Sequence, residues 1–253
     1  MPAKPKLKAT KTSLESILAL RALFLQEANC QIRYDARHHR GWTDSYLLEV
    51  NNQAVGYGSI AGLNDHDARD CVFEFYIIPA FRNKAGSLFR RLIAASKATH
   101  VETQSNEPLL TSMLYEVSSS IKANVVLFED HAVTHHAIPG AIVRPRDPAD
   151  RLFKHRAEPE GDYVVELDGA IVATGGFLLH YNKPFADLYM EVIPSQRRRG
   201  IGAFLIQELK RHCYRAGRVP AARTDITNIA SRATLAKAGM RVCGFMLVGP
   251  VTV

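Results

Sequence analysis

Three arginines and two spaced glycines stand together in Arg197-Arg198-Arg199-Gly200-Ile201-Gly202, directly after the apolar run that ends at Val192-Ile193-Pro194. Residues of these types bind anions. Successive backbone N–H groups and the positive end of a helix dipole take up phosphate oxygens, and a glycine lets the backbone come close because it has no Cβ. The alternative is a basic surface turn whose glycines have no special use. The flanking sequence favours the first reading: Leu188–Ile193 predicts a buried strand and Ala203–Lys210 an amphipathic helix, so the loop falls where a strand hands over to a helix N-terminus. A nucleotide P-loop would place Lys and then Ser or Thr after its last glycine, whereas Ala203-Phe204 follows Gly202; the dinucleotide pattern needs a third glycine. Both of those are excluded.

The pattern Arg197-x-x-Gly200-x-Gly202, preceded by Val192-x-Pro194, resembles the GNAT superfamily of acetyl-CoA-dependent N-acetyltransferases. In that family the segment wraps the pyrophosphate of acetyl-CoA. The resemblance therefore implies acetyl-CoA as acetyl donor, held by Val192, Arg197, Arg198, Arg199, Gly200, Ile201 and Gly202. It also implies an amine acceptor, either a small molecule or a protein. Asn228 to Met240 is similar to the family's last helix, which starts at an Asn and stops at a Gly; by that likeness Asn228 and Ser231 would lie against the CoA arm. Asn as an N-cap and Gly as a C-terminal stop account for both helix ends without any ligand.

Acetyl transfer to an amine needs a proton acceptor and N–H donors for the oxyanion. The family supplies the donor from the strand backbone near Val192, which needs no particular side chain. Positions at which some members carry a base are Ala186 and Leu188 here, and the usual Tyr of the last helix is Leu235. Glu191 is the one carboxylate close to the thioester end of the strand and is the expected catalytic base. Simple alternation puts Asp187, Tyr189 and Glu191 on one face, but a bulge common in this strand of the family would change which face meets the acceptor. A non-catalytic acyl-CoA sensor is the competing class.

Composition fits a soluble enzyme, with 253 residues, 47% of them hydrophobic. No run of 18 apolar residues occurs, and Met1 to Lys8 lacks the apolar segment of a signal peptide, so a cytoplasmic protein with no membrane partner is expected. Cys30, Cys71, Cys213 and Cys243 form no CxxC pair, which suits reduced thiols. The net charge is +7, and most of it belongs to the second half, with 17 basic and 11 acidic residues after position 138 against 15 and 14 before it. A local field of that kind attracts a polyanionic cofactor. No aromatic platforms or basic stripes point to nucleic acid. His131, His135 and His136 lack a completing Cys or acidic cluster, so no metal site is expected.

An internal repeat sets the architecture. Tyr46 to Gly58 parallels Tyr163 to Gly175 at a spacing of about 116 residues, and each stretch is followed by a strand, a proline and a helix. The fold class is α/β (α+β): two tandem GNAT-like domains, each a mixed, mostly antiparallel sheet flanked by helices. Pro139–Pro145 resembles the family's opening strand, which gives a degenerate domain at 1–138 and an acetyl-CoA-binding domain at 139–253, the latter with its first two helices shortened. Degeneracy follows from the loop: Arg82-Asn83-Lys84-Ala85-Gly86-Ser87 places Ala85 and Ser87 where the second copy has glycines. Leu20 to Trp42 is unusually polar and aromatic through Arg33, Tyr34, Asp35, His38, His39 and Arg40, and reads either as a cover for a cleft or as a solvated helix end.

Overall fold

Two hairpins with the same defect reveal the duplication. β2 (Thr43–Val50) turns into β3 (Gln53–Ala61) through Asn51 and Asn52, both left-handed, and β8 (Tyr163–Leu167) turns into β9 (Ala170–Leu178) through Asp168 and Gly169, also left-handed. Positive φ at both central residues gives a tight turn whose twist matches the strands it joins. A register shift falls between Leu48 and Glu49 in the first hairpin and between Val165 and Glu166 in the second, at the equivalent place in each. The computed structural model describes residues 5–28 and 30–252.

The chain divides into two compact units, Met1–Asn124 with Phe245–Val253, and Val125–Gly244. The boundary expected from the sequence is 138. In the first unit, β1 (Leu7–Thr12), β2, β3, β4 (Cys71–Ile77) and β5 (His100–Gln104) stand in that order, and the end of β12 (Met240–Pro250) follows, antiparallel to β5 from Met246 to Pro250. α1 (Leu18–Glu27), α2 (Asp35–His39), α3 (Ala85–Ser96) and α4 (Pro108–Val117) complete it. Leu88, Phe89 and Leu92 of α3 and Leu110 and Leu114 of α4 pack with Val72, Phe75 and Ile77 into one core. Burial of each such side chain stabilises the unit by about 1.5–3 kcal/mol.

In the second unit the order is β6 (Lys122–Asp130), β11 (Val219–Asp225), β10 (Phe185–Val192), β9, β8 and β7 (Ala141–Pro145), with α5 (Ile201–Arg215) and α6 (Ile229–Lys237). Residues 146–162 contain no helix, so the shortening read from the sequence goes as far as loss of both helices from that segment. α5 lays Leu205, Ile206, Leu209 and Cys213 inward and packs on β9 and β10. Gly175 permits this contact, since a Cβ there would stand 2.6 Å from Tyr189 O and 2.9 Å from Leu209 Cδ1. The first unit is completed by a strand from the far end of the chain, whereas the second is one contiguous run. Met246–Pro250 pair with β5 in the first, and in the second β11 pairs with β6 from Glu129 to Val125.

Both sheets contain a wedge. β10 is parallel to β11 only from Phe185 to Asp187, after which Leu188–Val192 keep their pairing with β9 alone. β4 is parallel to β5 only at Cys71 and Val72. Beyond those pairs the two parallel strands part, and their facing backbone groups no longer pair with each other.

Candidate functional site

The second wedge carries the loop singled out in the sequence. β10 pairs with β9 in unbroken register from Asp187 to Val192, so the bulge that would have scrambled its faces is absent there. Asp187, Tyr189 and Glu191 accordingly share one face, and Met190 lies on the other, against Gly175 and Gly202 of the α5 side. Ile193 N–H donates to Val172 O at 2.9 Å. Antiparallel alternation then directs the N–H groups of Leu188, Met190 and Val192 away from β9 and into the wedge.

After Val192 a single 3₁₀ turn, Pro194–Gln196, leads into the arginines. Arg198 is left-handed at φ 62° and Gly200 at φ 84°, so the backbone curls twice before α5 begins at Ile201. No side chain caps this helix. Its first N–H groups, on Ile201, Gly202 and Ala203, are therefore left to an incoming acceptor, and a helix N-terminus favours a negative one. Gly202 is tightly enclosed: a Cβ there would lie 3.0 Å from Thr234 Cγ2 and 3.1 Å from Met190 Cε. A cation that the sequence reading missed is present as well, because Lys237 Nζ stands 3.6 Å from where a Cβ on Gly200 would be. Only the packing of α6 beside α5 brings it there.

Arg197 is differently employed from its neighbours. Its Nε donates to Val192 O at 2.9 Å and its Nη2 lies 3.7 Å from Glu191 Oε1, so it braces the turn while its side chain stays half-exposed. Arg82 repeats this in the first unit, donating from Nε to Ile77 O at 3.2 Å. The first residue of the loop is thus a structural brace in both copies. The difference lies after it. In the first copy a 3₁₀ segment, Pro79–Lys84, runs straight into α3 at Ala85 with no left-handed residue between them, so the curl is missing.

Glu191 is buried, and its carboxylate closes on the loop before β8. Arg156 N–H donates to both oxygens at 3.1 Å, Ala157 N–H to Oε2 at 3.1 Å and Glu158 N–H to Oε2 at 3.2 Å. Burial alone would raise this carboxyl; the three amides and nearby His155 outweigh it, and the group sits below its ordinary value. A carboxylate so engaged is a poor proton acceptor. Glu191 faces the side expected from the sequence, and there it ties down residues 156–158.

Asp187 has the opposite character. It is 6% exposed, receives the Tyr181 hydroxyl at 2.6 Å and faces Arg223 Nε at 3.3 Å. Burial pushes its carboxyl up to about 6, against the pull of Arg223 and Tyr181. Glu158 is raised too, by desolvation and then by repulsion from Glu191. A cavity of about 610 Å³ opens at the far end of β10 from Asp187, lined by Phe153, Lys154, His155, Arg156, Ile193 and Pro194. The His155 ring stacks on Phe153 at 4.6 Å, and its Nε2 lies 2.6 Å from Thr174 Oγ1.

The remaining expected residues are placed as follows. Asn228 caps α6, its Oδ1 accepting from Ser231 N–H at 3.1 Å, so the two are joined to each other. Leu235 is buried in the core. His136 bonds Lys237 O through Nε2 at 2.7 Å, and no group of three metal-ligating side chains occurs among the described residues. No helix among them is long and apolar enough to cross a membrane.

The polar stretch Arg33–Arg40 turns inward on its own unit. Arg33 is 3% exposed and donates to Phe73 O, beside the first wedge, while also contacting Glu107. Glu74, fully buried, receives Arg21 Nη2 at 3.0 Å and the Tyr57 hydroxyl at 3.0 Å and lies 3.2 Å from His38 Nε2. Burial would raise this carboxyl, but Arg21 and His38 hold it well below the usual range. In this copy a buried arginine thus holds one carbonyl of β4 where the parallel strands part.

Comparison with known proteins agrees with the duplication. The profile of the acetyltransferase (GNAT) family matches residues 129–240, and that of an acetyltransferase (GNAT) domain matches residues 13–131. No curated protein matches the chain. Among solved structures, a GNAT-family acetyltransferase from Colwellia psychrerythraea superposes with a TM-score of 0.74 at 16% identity, covering 98% of this chain and 100% of that one. A GCN5-related N-acetyltransferase from Sphaerobacter thermophilus gives 0.59 at 16% identity, covering 96% and 95%. A tandem GNAT protein from the clavulanic acid biosynthesis pathway gives 0.58 at 13% identity, covering 97% and 98%.

Proposed function

Since the chain belongs to the GNAT acetyltransferase family as two domains in tandem, a family of acyl-CoA-dependent acyltransferases, we propose that it moves acetyl from acetyl-CoA to the amine of an acceptor, with the reacting groups in the second unit. The observation that carries this is the twice-curled loop, Arg198 to Gly202, at the mouth of a wedge into which amides of β10 point. The chemistry fits the donor. Tightly enclosed glycine, free helix N–H groups and Lys237 suit a pyrophosphate, and a gap between parallel strands suits an extended pantetheine arm.

When bound, acetyl-CoA supplies a thioester carbonyl open to direct attack by a neutral amine, so no covalent enzyme intermediate is required. The N–H groups of Ile201, Gly202 and Ala203, with Arg198, Arg199 and Lys237 nearby, hold the phosphates. Val192 and Met190 N–H polarise the carbonyl oxygen. Asp187 accepts the amine proton; a carboxyl at about 6 is ionised at neutral pH yet basic enough to matter. Tyr181 and Arg223 orient it. Glu191 is a positioning residue that fixes the 156–158 loop, and Asn228 starts α6. The first unit, with no curl and with Arg33 on its strand carbonyl, serves a structural purpose.

Release of free CoA from acetyl-CoA, measured across a panel of primary amines, tests the proposal. Amine-dependent release is expected. Tight binding of acetyl-CoA with no release for any amine would contradict catalysis and favour a sensor.

A further inference from the structure

We propose that the cavity between Phe153–Arg156 and Ile193–Pro194 receives the acceptor and selects a primary amine that also carries an anionic group beside a flat ring. This deepens the acetyltransferase reading and rests on it. The cavity lies along the face of β10 that carries Glu191, away from α5, since Arg156 on its wall is the residue that donates to Glu191. Its wall is rigid for a stretch without helix or strand, because one carboxylate gathers three consecutive amides there.

Three features of the wall indicate chemistry. First, the stacked rings of Phe153 and His155 offer a flat surface, 4.6 Å between centroids, of the size that a planar group covers. Second, Lys154 and Arg156 bring two cations to the cavity. On the same segment, Arg144 is gripped by Asp150 and Glu166, and Arg146 by Glu160. Among the described residues, no carboxylate pairs with the Lys154 ammonium or the Arg156 guanidinium. Unpaired cations on a cavity wall suit a carboxylate, and a guanidinium can take one with two parallel bonds. Third, Glu158 follows the wall directly, its N–H bonded to Glu191 Oε2 at 3.2 Å, and Asp187 shares with Glu191 one face of β10. The arrangement is bipolar, with cations at the wall and carboxyls along the strand. A ligand that carries both an amine and an acid matches both.

The test uses the full chain with acetyl-CoA and four probes: L-phenylalanine, L-tryptophan and the carboxamide of each. Turnover and calorimetric binding of the probes in the presence of CoA are measured for the wild type and for K154Q/R156Q. The acids are expected to exceed their amides in kcat/KM by about tenfold, the scale of one hydrogen bond to a charged group. K154Q/R156Q should bring that ratio to about one by raising the acceptor KM while the KM for acetyl-CoA stays unchanged. Equal use of acids and amides by the wild type would overturn the proposal. So would a variant that raises the acetyl-CoA KM and keeps the ratio, because the cations would then serve the donor's phosphates. Acid-selective binding lost in the variant, without turnover of any probe, would uphold the pocket and contradict acetyl transfer. Turnover of other amines, with neither binding nor turnover of these acids, would uphold acetyl transfer and overturn the pocket.

Discussion

Replacing Glu191 by Gln separates a positioning carboxylate from a catalytic one. Glutamine can keep its carbonyl oxygen where Oε2 stands, retaining neutral bonds from Arg156, Ala157 and Glu158, and its amide then takes the place of Oε1, toward Arg197. What is lost is the charge on three hydrogen bonds and one donor-to-donor clash is gained. Charge-assisted bonds exceed neutral ones by about 0.5–1 kcal/mol each, and relief from burying an ion offsets part of that, leaving about 1–2 kcal/mol. Global unfolding should shift by a few degrees, roughly 2–4 °C per kcal/mol at this size. Local opening should respond more clearly: amide hydrogen exchange at Ala157 and Glu158 should quicken by about 5- to 30-fold. The pH dependence has a definite sign. The folded carboxyl lies below its ordinary 4.5, so its stabilisation is complete above that value and is lost as pH falls through the lowered one. In E191Q the acid sensitivity of this loop should disappear. Unchanged exchange at these amides would refute the latch. A fall of about a hundredfold or more in kcat at constant KM, with loss of the acidic limb of the pH profile, would restore Glu191 as the base.

Asp187→Asn should lower kcat by about 10²–10⁴, and the wild-type kcat/KM should fall as pH drops below about 6, where Asp187 takes up its proton, a limb absent from the variant. Gly200→Ala forces a Cβ into φ 84° and should weaken acetyl-CoA binding about fivefold, the equivalent of about 1 kcal/mol of loop strain, whereas Gly200→Asn should recover part of it, as read by calorimetry. Lys237→Gln should raise the acetyl-CoA Kd by about tenfold with no change in the melting temperature of the free protein, and high salt should shrink the difference.

Local signals in the sequence carried the loop and the repeat. The glycines at 200 and 202, the strand before them and the helix after them are set by neighbours in the chain, and hairpins turn at Asn51-Asn52 and Asp168-Gly169 by the same short-range rules. What escaped is long-range. The amides of residues 156–158 reach Glu191 from far upstream, a contact that no local pattern signals. Arg33 resembles a solvated helix end until Phe73 and Glu107 enclose it. Lys237 sits in an ordinary helix, and only tertiary packing puts its ammonium beside Gly200. The return of the chain's end to the first unit, where Met246–Pro250 pair with β5, leaves no mark on the pattern of either strand.

The central claim is one donor site, in the second unit, built by Arg198 to Gly202. Calorimetric titration of the full chain with acetyl-CoA tests it most directly. One equivalent bound per chain is the result this account predicts. Two equivalents would mean that the uncurled first loop also binds, and none would mean that the second does not.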